Sequence, residues 1–382
     1  MTQPFVVALK GAAVALLATV AVAALAADPG VTPREIVIGQ SITLQGGKNA
    51  FGAAVLEGVK LQIDAANAAG GVNGRRIVLK VLDDDNKNAT AEANARKLVQ
   101  EGVFILFGSL EGGPSTAVMK VAGETKVPFF GPMAGPPILR RPHQPMVFPV
   151  RAEHRDEFRA LMTYGKTLGM KSVGFFHVDS DVGRMHLANV NAIAKELDMA
   201  VATANSFKSD ASDADLDRIV GDIAKAQPDI YLNHGSAGLY QKLISKARAA
   251  GLRTMFMGVN SGSSQIAKGL GELAFGMVFA QVVPSPWERK REITREYQAT
   301  ALKANPNAEF SYGGLEGFIT AKALVRALQL AGNEPTRASF IKGLEGTRFD
   351  LGGVSVRYAP DNHEGSRFVD LALVRTDGRF TH

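Results

Sequence analysis

The chain has 382 residues, 46% of them hydrophobic and 21% charged, with a formal net charge of +6. These are globular proportions at a length that suits about two domains, and the basic residues are spread along the chain, which argues against a nucleic-acid surface. Cysteine is absent, which excludes a disulfide scaffold, a thiolate metal site, a cysteine nucleophile and a lipid-bearing cysteine.

Along the chain, Gly11 to Ala27 run apolar without a charge and close on Ala24-Leu25-Ala26. A small-x-small pattern after a short apolar run reads as a signal peptide over residues 1–26, cleaved near Ala26. The predicted destination is the periplasm, since an exported chain without cysteine suits it. Glu35 to Gln40 then reads as a strand, and Ala53 to Ala69 as a helix with Val55, Val59, Ile63 and Ala66 on one face and Gly70-Gly71 as its stop. Arg76 to Leu82 is a second strand, and Asp83-Asp84-Asp85 reads as its solvated end, with a cation site as the alternative. A helix over 90–100, the wholly apolar strand Val103 to Phe107, a helix over 115–125 and a strand at Val127 to Phe130 follow. A second series alternates in the same way, with helices over 158–168, 185–197, 214–226 and 238–250. Its strands are Ser172 to His177, Ala200 to Ala202, Pro228 to Leu232 and Thr254 to Gly258. Helices over 288–304, 314–331 and 338–344 precede two closing strands, Val354 to Tyr358 and Phe368 to Arg375. Strands separated by helices of this length predict an α/β fold with parallel sheets and right-handed crossovers.

In such sheets ligands bind beyond the carboxyl ends of the strands. Six loops there, Ser41–Gly52, Gly108–Pro114, Gly131–Pro137, Val178–Gly183, Asn233–Gly238 and Val259–Ser264, are rich in glycine, serine, asparagine and proline. One such loop is ordinary turn chemistry; six on one edge predict a cleft. Enzyme signatures are thin. No dinucleotide fingerprint, phosphate loop or nucleophile elbow occurs, and no histidine pair has HExxH spacing, so neither catalysis, cofactor nor metal is expected. His234, after a strand at the cleft edge, reads as a satisfied loop histidine, with a ligand contact as the alternative.

Several segments together resemble the type I periplasmic binding proteins, in particular the leucine/isoleucine/valine-binding protein family of ABC importers. They are Ile36-Val37-Ile38-Gly39, Phe51-Gly52, the run Asn67 to Arg75, Val78 to Asp84, Gly108, Val127 to Pro132, and Val147 to Arg151. The resemblance implies two Rossmann-like lobes joined by a three-strand hinge, with 28–152 plus 285–357 as lobe 1 and 153–284 plus 358–382 as lobe 2. It implies a monomer that takes an amino acid or other small carboxylate between its lobes and passes it to a membrane permease. A sensing subunit of a receptor system is the alternative. By the same resemblance, Phe51 covers the ligand. Ser109, Leu110, Glu111, Gly112 and Gly113 form one binding loop, whose usual hydroxyl position falls on a glycine. Met133, Ala134 and Gly135 form a second, while Val182 and Ser236 stand where the family has aromatics. The acid for an α-ammonium falls at Asp156 or Glu157, and a further acid is replaced around Asn260-Ser261. These departures leave an aromatic or aliphatic carboxylate open, with Glu111 facing either a cationic or hydroxylated ligand or solvent.

Overall fold

A computed structural model describes Met1 and residues 28–208 and 210–382. The signal segment predicted over 1–26 lies outside the described residues, apart from Met1. The first series forms β1 (Glu35–Ile42), α1 (Ala50–Ala68), β2 (Arg76–Asp83), α2 (Asn88–Gln100), β3 (Ile105–Phe107), α3 (Gly112–Thr125), β4 (Phe129–Phe130) and β5 (Val147–Phe148). Its strands make one parallel sheet in the order β2-β1-β3-β4-β5. The apolar runs that announced β1 and β3 are buried on both faces, with Ile36, Ile38, Phe104 and Ile105 wholly inaccessible.

The second series runs α4 (His154–Thr167), β6 (Ser172–Val178), α5 (Asp181–Glu196), β7 (Ala200–Phe207), α6 (Asp213–Ala226), β8 (Ile230–His234), α7 (Ala237–Ala249), β9 (Met255–Gly258), α8 (Ser263–Leu270) and β10 (Val278–Gln281). The remainder is α9 (Glu292–Ala304), α10 (Tyr312–Leu330), α11 (Arg337–Leu344), β11 (Arg348–Asp350), β12 (Ser355–Ala359), β13 (Asn362–Gly365), β14 (Asp370–Val374) and β15 (Phe380–Thr381). The second sheet has the order β15-β14-β10-β9-β8-β6-β7, antiparallel only at β10–β14 and β14–β15. Strands β11 to β13 form a small antiparallel sheet.

Three differences from the sequence reading bear on the site. Helix α8 begins inside Val259–Ser264, which reads as a loop, and strand β10 falls in a stretch with no predicted element. Helix α4 starts four residues before the predicted 158, so His154 becomes its first residue. Residues 358–366 keep to the first sheet: Tyr358 Oη donates to the Pro149 carbonyl at 2.9 Å and the Ser366 amide to the Val150 carbonyl at 3.0 Å. The chain's last passage between the large sheets therefore follows Ser366 and not residue 358.

Helix α10 is buried almost throughout and packs on α1 through glycines. A Cβ on Gly58 would stand 1.9 Å from the Gly314 carbonyl oxygen, and one on Gly317 would stand 2.1 Å from that of Val55. The two backbones touch, as only glycine allows.

Candidate functional site

All six loops foreseen from the sequence reach one cavity of about 1010 Å³ between the two large sheets. Its lining takes Phe51 from the first loop, Glu111 and Gly112 from the second, and Met133 and Ala134 from the third. Val178, the His234–Gly238 segment and the Val259–Ser264 segment supply the opposite side. The cavity thus lies off the carboxyl ends of both sets of strands, where an open α/β sheet holds its ligands. Five helices present their first residues to it: α1 through Asn49 and Ala50, α3 through Gly112, α7 through Ser236–Gly238, α8 through Gly262–Gln265 and α10 through Ser311–Gly313. Each carries unpaired amides and partial positive charge at that end. Lys48 and Lys268 add full charges, and Glu111 is the acidic side chain in the lining.

Of the residues proposed from the sequence, Phe51, Glu111, Gly112, Met133, Ala134, Ser236 and Asn260 line this cavity. The other five do not. Ser109 turns inward, its hydroxyl 2.6 Å from that of Ser115. Leu110 is 2% exposed and packs into the core, and its backbone bridges to Met133 beyond the strand ends. Gly113 lies against Asn88, and Gly135 against the ring of His154. Val182 sits on the first turn of α5, off the lining. Neither Asp156 nor Glu157 lines the cavity.

Glu111 holds φ +60° and ψ 150° at the start of α3, a region that side chains avoid. It retains solvent contact inside the cleft, yet the surrounding walls desolvate its carboxyl and raise its pKa, with nearby Asp84 adding to the rise. Opposite it, Ser236 accepts from the Leu239 amide at 3.2 Å and caps α7. Phe51 rests on α10, its ring 3.1 Å from where a Gly313 Cβ would be.

Of the Asp83-Asp84-Asp85 run, only Asp85 is exposed as a solvated end. Asp84 is fully buried and accepts from Thr43 Oγ1 at 2.7 Å, Ser41 Oγ at 3.3 Å and the Asn86 amide at 3.0 Å. Burial pushes its pKa up. Asp83 accepts from the amides of Leu44, Gln45, Gly46 and Asp85. Desolvation opposes them, but together these amides draw its pKa down to about 2. The pair fastens the first loop, and with it the start of α1.

Behind the other wall lies a buried polar cluster that no local spacing reveals. Arg151 Nη2 donates to Glu157 Oε1 at 2.5 Å, and the Asn260 amide donates to Glu157 Oε2 at 2.8 Å. Asn260 Nδ2 donates to Glu316 Oε2 at 3.1 Å. Burial raises the pKa of both glutamates, opposed chiefly by Arg151. His154 Nδ1 faces Glu157 Oε1 at 2.8 Å. His154, His186 and His234 bring their ligand atoms within 4.8 Å of one another. Desolvation first, then Arg151 and Arg140 beside His154 and the neighbouring histidines beside His186 and His234, holds all three imidazoles well below the usual histidine range.

Other lining residues escaped the sequence reading. Phe207 ends a β7 that runs five residues past the predicted Ala202, and it stacks on Phe176 at 4.2 Å. Tyr312 follows Ser311, whose hydroxyl accepts from the Gly314 amide at 3.0 Å. A capping serine before that helix was the available signal.

A family model described as a periplasmic binding protein matches residues 35–379. The Leu/Ile/Val-binding protein homolog 3 of Brucella melitensis is 32% identical over 127 residues, 33% of this chain and 34% of that one, so the match spans about a third of the relative's length. Among solved structures, a possible leucine/isoleucine/valine-binding protein from Rhodopirellula baltica aligns with a TM-score of 0.82 at 25% identity, covering 92% of this chain and 97% of that one. A leucine-binding protein from Thermotoga maritima aligns with a TM-score of 0.79 at 19% identity, covering 91% and 97%, and shows the shared fold. The chain belongs to the periplasmic binding proteins and has the type I, leucine/isoleucine/valine-binding-like fold of two α/β lobes.

Proposed function

We propose that this chain is the solute-binding component of an ABC importer, taking an amino acid or other small carboxylate in the cleft and delivering it to a membrane permease. The observation that carries this reading is the convergence of five helix N-termini with Lys48 and Lys268 on one cavity, a field that favours a carboxylate. Phe51, Met133, Val178, Phe207 and Val259 give the rest of the solute an apolar bed, and Glu111 is placed to meet an amine. The reading assigns the work to capture and hinge closure, with no chemical step.

The test is a thermal-shift screen of amino acids, aromatic acids and aliphatic acids, with affinities measured for the hits. A solute at 100 times its dissociation constant adds about 2.7 kcal/mol of stability. Phe51→Ala should weaken the best hit about tenfold while the protein stays folded. A screen without any carboxylate hit, or a hit indifferent to Phe51→Ala, would overturn the reading.

A further inference from the structure

We infer that His154, His186 and His234 form a binding site for a divalent first-row transition ion of the zinc class, with its fourth side open to the cleft. The three rings come from three elements: the first residue of α4, the second turn of α5 and the last residue of β8. Their centroids lie 3.8 Å apart for His186 and His234, 4.7 Å for His154 and His234, and 5.2 Å for His154 and His186. His186 is fully buried, and neither of its ring nitrogens has a hydrogen-bond partner; Nδ1 of His234 has none either. Buried polar atoms are ordinarily satisfied, so the three unpartnered ring nitrogens of these two imidazoles point to a ligand that accepts lone pairs.

The third ring is held as metal-binding histidines usually are. Nδ1 of His154 faces Glu157, which is itself fixed by Arg151 and the Asn260 amide, so Nε2 is left for an ion. Three imidazoles suit zinc, nickel, cobalt or copper, and they disfavour calcium and magnesium, which take oxygen. His154 and His234 line the cavity while His186 stands behind them. An ion among them is reached from the cleft and keeps one coordination position for a carboxylate or water, the arrangement of a three-histidine site that is not closed. The inference goes beyond the capture of a carboxylate and does not depend on it.

The test takes the full chain, purified without a polyhistidine tag, stripped with a chelator and titrated calorimetrically with zinc chloride in the absence of any organic solute. One zinc per chain is expected, with His186→Ala and His234→Ala each weakening it at least 100-fold and calcium giving no binding. X-ray absorption of the loaded protein should show three nitrogens at about 2.0–2.1 Å. Should His186→Ala not fold, His234→Ala carries the readout, since that ring lies at the cavity edge. A folded protein that takes less than a tenth of a zinc per chain, or a folded variant with unchanged affinity, overturns the site. Carboxylate binding by the stripped protein is measured separately, so failure of the metal site and failure of the cleft reading are told apart.

Discussion

Asp83 and Asp84, behind the loop that carries Phe51, and the three histidines across the cleft are both buried or half-buried polar clusters beside the same cavity, yet they differ in how their atoms are used. Each aspartate accepts three or more hydrogen bonds from its own lobe. His186 and His234 leave buried ring nitrogens without a partner beside the cavity. A fully satisfied cluster fastens the chain to itself, whereas an incompletely satisfied one is a place for something else to bind.

The contrast breaks first at Asp84. Asp84→Ala strands two buried hydroxyls and releases the part-buried Asn86 amide, and should cost about 3 kcal/mol in urea unfolding. A loss below about 1 kcal/mol would mean that water replaces the carboxylate and that the aspartates are not structural.

Asp83 gives the next largest effect, as a pH dependence. Its folded pKa of about 2 lies below the unfolded value of about 3.9. The sign is that of a depressed acid: the stabilisation is complete above about pH 4 and is lost as pH falls toward 2. The wild type should therefore lead Asp83→Asn by on the order of 1–2 kcal/mol at neutral pH, after allowance for solvent screening, and the lead should close below pH 3. A lead that does not change with pH would assign the stabilisation to shape and not to charge.

The smallest effect is expected at His186. In metal-free protein, His186→Leu replaces an unpartnered ring by an apolar side chain of similar size and should change stability by less than about 1 kcal/mol. A cost equal to that of Asp84→Ala would erase the distinction between the two clusters.

Much of the scaffold was legible because its signals are local. Apolar runs such as Val103 to Phe107 and stops such as Gly70-Gly71 place strands and helices within a few residues. Strand β10 is only four residues, within an apolar run bounded by Gly276 and Pro284 to which the sequence reading gives no element, and α8 begins inside a Gly-Ser stretch that reads equally as loop. The cleft edge was legible from six loops, but which side chains face it was not. Ser109 meets the Ser115 hydroxyl and Leu110 packs into the core with its backbone bridged to Met133, contacts that the loop composition does not encode. The histidines meet only when α4, α5 and β8 pack, and no spacing along the chain encodes that.

The glycine seam between α1 and α10 has a practical consequence. With two backbones in contact, Phe51 on one helix and Tyr312 on the other are carried by a single stiff block, so this side of the molecule can serve as a fixed reference frame. A dye or spin probe at exposed Lys60 would stay still relative to its wall, and a second at exposed Lys242 on α7 would report the gap alone. Because the chain has no thiol of its own, each label attaches only where a cysteine has been introduced.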